Sequence, residues 1–197
     1  GVNILLNQKV DKIILENNEA KAVKINNKIV KYDKIVSNVD VNFTFQNLIS
    51  DSQNKEAKRY ITKSPSFSGL VFYWGIKKEF EELETHSILF SKDYKKEFED
   101  LFVNKTIHND PTVYIYISSK LNKNDAPSGK ENWFVMVNAP YIHKQNWDAE
   151  INTCRSNIIK KINSFLNMEL ESLIEFEKIM SPIDIQNRTG SYLGSIY

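Results

Sequence analysis

A chain of 197 residues can bury a sizeable core, and 26 Lys and Arg against 25 Asp and Glu leave a formal net charge of +1, so no basic field marks a nucleic-acid partner. The single cysteine, Cys154, excludes a disulfide framework and a cysteine-rich metal site. No apolar run approaches the roughly 18 residues that suggest a membrane span, and the start carries no signal-peptide pattern.

In chain order, Val2 to Val36 reads as short strands separated by polar turns. Ile4 and Leu6 alternate, and Val10 to Leu15 is β-branched and aliphatic. Asn17-Asn18-Glu19 and Asn26-Asn27-Lys28 are turns on either side of Ala22 to Ile25, and Ile29 to Tyr32 completes a hairpin. Lys34 to Ser37 then reads as a buried strand. Asp40 is placed to cap a helix, and a short surface helix is expected near Glu56 to Ile61.

Phe67 to Ile76 is the stretch around which the rest is arranged. From Leu70 onward apolar side chains fall on both parities, so a strand here needs cover on both faces. Ser87 to Ser91 reads as a strand, and Asp93 caps a helix bearing Tyr94, Phe98, Leu101 and Phe102. Two later runs alternate cleanly. Val113, Ile115 and Ile117 oppose Tyr114 and Tyr116, and Trp133, Val135 and Val137 oppose Phe134 and Met136. A sheet with one helix-covered face and one aromatic, hydroxyl-bearing face follows. That second face either lines a site for a long apolar ligand or receives another layer of core.

Asp148 to Leu166 is the clearest helix, with Ile151, Cys154, Ile158, Ile162 and Phe165 at helical spacing. At that spacing Cys154 reads as a small buried apolar group, and a reducing cytoplasmic setting fits. Ile174, Phe176 and Met180 suggest a further strand. Ser181-Pro182-Ile183-Asp184 then carries a capping box with Pro at the first helical position.

The six glycines are dispersed, so no phosphate-cradling Gly-x-Gly-x-x-Gly loop can be drawn. His86, His108 and His143 lie far apart in loops or at element ends and read as solvated. The spacing of Gly190 and Gly194 lets backbone approach something closely, a turn or a cofactor ring. No catalytic residue and no metal ligand is identified. Alone, these residues describe an α+β domain in which a mixed or antiparallel β-sheet is covered by helices.

An ordered series of segments resembles bacterial-type phytoene desaturases and related carotenoid desaturases. It runs from Gly1-Val2 through Val10-Asp11-Lys12-Ile13, Lys31 to Asp40, Ser68 to Gly75, Asp110 to Tyr114, Ala126 to Gly129 and Ser181 to Asp184, ending at Gly194-Ser195-Ile196-Tyr197. Tyr73 to Ile76 and Glu131 to Val137 look most like the 1-hydroxycarotenoid 3,4-desaturase branch. The resemblance implies an FAD-dependent oxidoreductase with a glutathione-reductase-like fold, acting on a carotenoid or polyene and touching the inner face of the cell membrane peripherally. There is no initiator Met, and the chain is expected to be an internal segment, with residues 1–50 a partial FAD-binding domain and 51–197 the substrate domain. By the same resemblance the cofactor contacts are Val10, Gly194, Ser195 and Tyr197. Strand parity nominates Phe72, Trp74, Tyr114, Tyr116, Phe134 and Met136 as the substrate channel. The alternatives are another FAD-linked enzyme of this fold, retinol saturase-like or amine-oxidase-like, and a non-enzymatic hydrophobic-ligand or interaction module.

Overall fold

The structure, a computed structural model, describes residues 1–49 and 55–196. It contains two compact units, Gly1–Ser64 with Thr189–Tyr192 and Pro65–Arg188 with Leu193–Tyr197.

In the first unit β1 (Val10–Glu16), β2 (Glu19–Ile25) and β3 (Lys28–Lys31) form an antiparallel sheet in the order β1-β2-β3. Its two turns are built by asparagine pairs in which all four residues have positive φ: Asn17 (52°) and Asn18 (62°), then Asn26 (49°) and Asn27 (64°). Such turns match the twist of the flanking strands, and asparagine tolerates the left-handed region better than most residues. Ile13, Val23 and Leu48 are the buried centre of this unit. Asp40 caps α1 (Val41–Phe43), its Oδ1 accepting from the Asn42 N–H at 2.7 Å, and a π-helical segment, Thr44–Ile49, continues the helix. The other carboxylate oxygen accepts from the Tyr192 N–H at 3.0 Å, tying Thr189–Tyr192 to this unit. α2 (Lys55–Ile61) follows.

Two expected strands are not formed. Residues 1–6 and 34–37 are irregular, with Ile4 77% and Val36 92% exposed. A β-branched run becomes a strand only when another strand satisfies its backbone, and among the described residues none pairs with either segment.

The second unit carries a five-stranded antiparallel sheet in the order β5-β6-β7-β4-β8. Its strands are β4 (Ser68–Ile76), β5 (His86–Leu89), β6 (Val113–Tyr116), β7 (Glu131–Ala139) and β8 (Ile174–Met180). α3 (Tyr94–Glu99) starts at the Asp93 cap, whose carboxylate accepts from the Lys96 N–H at 2.9 Å. α4 (Trp147–Leu166) is the long helix that the apolar spacing predicts. Its Cys154, Ile158 and Ile162 join Leu70, Phe72, Trp74, Ile115, Trp133 and Val135 in one core. A fully buried side chain of this size contributes roughly 1.5–3 kcal/mol.

The Trp74 and Trp133 indoles in that core are paired, whereas the Trp147 indole N–H is buried without a hydrogen-bond partner. Glu131 is buried and accepts from the Trp133 indole N–H at 2.7 Å and the Phe80 N–H at 3.2 Å, with the Lys120 ammonium at 2.9 Å. The Trp74 indole N–H donates to Glu177. Arg155 on α4 bonds both carboxylate oxygens of Glu171 and one of Glu177, and these bonds raise its already high pKa. α5 (Pro182–Thr189) opens with the expected capping box. The Asp184 carboxylate accepts from the Ser181 hydroxyl at 2.6 Å and from its N–H at 2.9 Å, which lowers the pKa of Asp184.

Candidate functional site

The register across the sheet decides what each face carries, because paired residues in adjacent strands point the same way. One row runs Lys178, Tyr73, Phe134, Tyr116, His86, and the next runs Met180, Val71, Met136, Tyr114, Ile88. Both lie on the face opposite α4. Tyr73, Tyr114, Tyr116, Phe134 and Met136 are half-buried there.

The aromatic rings on this face contact one another. Tyr73 meets Phe134 edge to face with centroids 5.5 Å apart, and Phe134 meets Tyr114 in the same way at 6.2 Å. At the β5 edge, His86 stacks on Tyr116 at 4.9 Å, and its Nδ1 is 2.8 Å from the Tyr114 hydroxyl oxygen.

A groove of about 330 Å³ opens over Tyr73, Gly75, Tyr116, Asn132, Phe134 and Phe176. Gly75 forms part of its floor. A Cβ at that position would stand 3.1 Å from the Phe176 Cβ, so the missing side chain keeps the groove open. Trp74 and Trp133 border it in sequence, but their side chains are 1% and 2% exposed and belong to the covered core. A larger groove of about 580 Å³ lies between Phe90 and the end of α4, where Ile88, Leu89, Phe90 and Phe165 are mixed with the charged Lys92, Asp110, Lys160 and Lys161.

Phe72 and Trp74, expected to line the same channel as the other four residues, lie on the opposite face. Phe72 pairs with Val135 and Trp74 with Trp133, both turned toward α4. Sequence parity alone could not place them, since β4 is apolar on both parities. Tyr73, His86 and Phe176 share the open face and were missed. The usable signal for Tyr73 was that it is the only hydroxyl-bearing aromatic in β4, matching Tyr114 and Tyr116.

The expected cofactor contacts sit as follows. Val10 begins β1, half-buried and on an edge strand. Gly194 has φ +70°, and a Cβ there would come within 2.3 Å of the Pro182 carbonyl oxygen, so only glycine fits. Its carbonyl accepts from the Ser68 hydroxyl, and the Ile196 N–H bonds the Phe67 carbonyl at 3.2 Å. These bonds hold the last described residues against the start of β4. Ser195 is buried, and Tyr197 lies outside the described residues.

The two open-face rows hold one lysine and one histidine, at opposite edges, and no carboxylate. Such a surface can bind and orient a long apolar molecule, and offers polar contacts mainly at its margins.

No family model matches the chain. Over all 197 residues it is 42% identical to a 1-hydroxycarotenoid 3,4-desaturase from a Flavobacterium species, covering 40% of that protein. Over 169 residues, 85% of the chain, it is 35% identical to a 4,4'-diaponeurosporene oxygenase of Staphylococcus haemolyticus, covering 34% of it. The chain is related by sequence to carotenoid desaturases and oxygenases. It spans about 40% of the length of the first of these curated relatives and about a third of the second. A crystal structure of an oxidoreductase from Methanosarcina mazei matches 87% of the chain and 36% of its own length, with a TM-score of 0.56 at 17% identity. At that identity the likeness speaks for the fold, a mixture of helices and antiparallel sheet. Among the described residues, no helix is long and apolar enough to cross a membrane.

Proposed function

We propose that this chain is a segment of an FAD-dependent carotenoid desaturase, and that the open face of its five-stranded sheet is one wall of the polyene channel. The observation that carries the reading is the 42% identity, along the whole chain, to a protein named as a 1-hydroxycarotenoid 3,4-desaturase. The aromatic rows give that likeness a physical counterpart. A polyene offers almost no hydrogen-bonding handles along its length, so it must be positioned by apolar contact. Tyr73, Tyr114, Tyr116, Phe134 and Met136 supply that contact in this reading, while Phe72 and Trp74 support the wall from behind. On this view residues 1–50 belong to the FAD domain and 51–197 to the substrate domain of a glutathione-reductase-like fold. The compact units themselves divide later in the chain, between Ser64 and Pro65.

FAD bound by the complete enzyme would supply the hydride acceptor. The residues of this chain fit it at its margins only, since no Gly-rich loop is present to hold a pyrophosphate. An edge strand presents unpaired backbone groups, which is what a backbone contact from Val10 to the adenine end requires. Gly194 and Ser195 would offer tightly packed backbone to the flavin or to the polyene. The chain's own work is then to bind the substrate, orient it and exclude water from it. An apolar substrate of this kind also supports a peripheral association of the complete protein with the inner face of the cell membrane.

The test is polyene binding to the complete, FAD-loaded protein, followed by quenching of its aromatic fluorescence. Phe134→Ala should weaken binding about 10-fold or more, as expected for losing most of a buried aromatic contact. Unchanged affinity in both Phe134→Ala and Tyr73→Ala would remove the channel. The relative named as an oxygenase favours a second reading, oxidation of the same kind of substrate without desaturation. Mass analysis of the product separates loss of two hydrogens from gain of oxygen.

A further inference from the structure

β4 places two glycines on the open face, Gly69 opposite Asn138 and Gly75 opposite Asn132, and the two positions are not alike. At Gly69 a Cβ would rest against the Met136 Sδ at 3.8 Å, so that space is already lined by a neighbour, and the residue is buried. At Gly75 the three atoms nearest to a Cβ all belong to β8, the Phe176 Cβ first at 3.1 Å, and the glycine lines the groove of about 330 Å³. The row Phe176, Gly75, Asn132 therefore has a notch one small side chain deep at its middle. The side chains around the notch are held in place. Tyr73 lies edge to face against Phe134. The Asn132 amide accepts from the Ser119 N–H at 3.0 Å and donates to the Ser118 hydroxyl at 2.8 Å. On the other flank the β4–β8 register shifts between Gly75 and Ile76, an irregularity of the kind that re-aims a side chain, and Phe176 stands there 58% exposed.

A long apolar molecule on an apolar wall has a problem of register. Burial is non-directional and roughly proportional to area, so a smooth rod gains about the same contact at every position and slides. Reaction at one carbon pair requires that it stop at one place. A steric feature can supply that stop where hydrogen bonds cannot, if the rod carries a matching protrusion. We propose that the Gly75 notch receives a methyl branch of the polyene and so fixes where along the wall the chain rests, which makes Gly75 and its flank Phe176 specificity-determining residues. The assignment rests on the reading of this face as a polyene wall. An aromatic residue covering a cross-strand glycine also has a purely structural use, and the experiment separates the two.

It uses the complete FAD-loaded protein and two probes, polyenes of equal conjugated length with and without methyl branches. The measured quantity is the ratio of their dissociation constants. Gly75→Ala fills the notch and should reduce the preference for the branched probe about fourfold, the worth of one buried methyl group. Gly69→Ala makes the same exchange six residues earlier on the same face and should leave the ratio alone. The ratio in Gly75→Ala decides; should that variant not fold, Phe176→Ala, which removes one flank and leaves β4 untouched, decides in its place. A purely structural glycine would move both affinities together. An unchanged ratio in the deciding variant, or an equal fall in Gly69→Ala, overturns the notch. Phe134→Ala distinguishes the two levels of argument. If it weakens both probes while the ratio ignores the deciding variant, the wall stands and the notch falls. If it leaves both affinities unchanged, the wall fails and the notch with it.

Discussion

The two faces of the five-stranded sheet are made of the same kinds of residue and do different things. Phe72, Trp74 and Trp133 lie under α4 at 0–2% exposure, whereas Tyr73 and Phe134, their immediate neighbours in sequence, stay half-buried with Tyr116 around an open groove. On the covered face the indole N–H groups of Trp74 and Trp133 are settled inside the protein, on the carboxylates of Glu177 and Glu131. The open face leaves its hydroxyls at the surface. Aromatic content therefore does not announce a binding site. What distinguishes the faces is whether another element of the chain has already covered them.

Adjacent positions in β7 give the sharpest test of this contrast. Trp133→Ala should cost about 3–5 kcal/mol of stability, the range for truncating a large buried aromatic, and it also leaves Glu131 without its indole donor. Phe134→Ala, one residue on, should cost no more than about 1.5 kcal/mol, because a half-buried ring loses less apolar contact. Denaturant unfolding of both variants measures the difference, and equal losses would erase the distinction between the faces.

Gly194→Ala comes next, at about 1–3 kcal/mol, since the new Cβ would meet the Pro182 carbonyl in a left-handed backbone conformation. Thermal unfolding reads it directly. Gly75→Ala should cost about 1 kcal/mol, because the new Cβ would stand 3.1 Å from the Phe176 Cβ, which rotation of the Phe176 ring cannot move, so the two strands must shift slightly. In ligand titrations it should reduce groove occupancy several-fold.

The smallest perturbation is chemical labelling of Cys154, whose thiol faces the covered side and is pushed up to about 12 by burial, with Glu150 nearby adding to the shift. A thiolate is the reactive species, so alkylation of the native protein should be negligible and should appear in step with unfolding. Prompt labelling in native buffer would mean that α4 does not seal this face.

How much of this was legible beforehand can be seen element by element. The helix over Trp147–Leu166 was, because its apolar stripe recurs every three to four residues. So were the caps at Asp40, Asp93 and Ser181 and the asparagine turns, since each is a set of hydrogen bonds or backbone angles closed within about four residues. The likeness to carotenoid desaturases was legible too, as an ordered series of short segments. Lys34 to Ser37 misled, because β-branched composition states a preference and only a partner strand realises it.

Tertiary structure decided the rest. β4 is apolar on both parities, so its sequence permitted either face to be the covered one. The choice was made by register, through Tyr73 opposite Phe134 and Phe134 opposite Tyr116, and by α4 lying on the other side. A strand's side chains alternate by themselves, but which set is sealed and which is left for a ligand depends on what packs against the sheet. That is a property of residues distant in sequence.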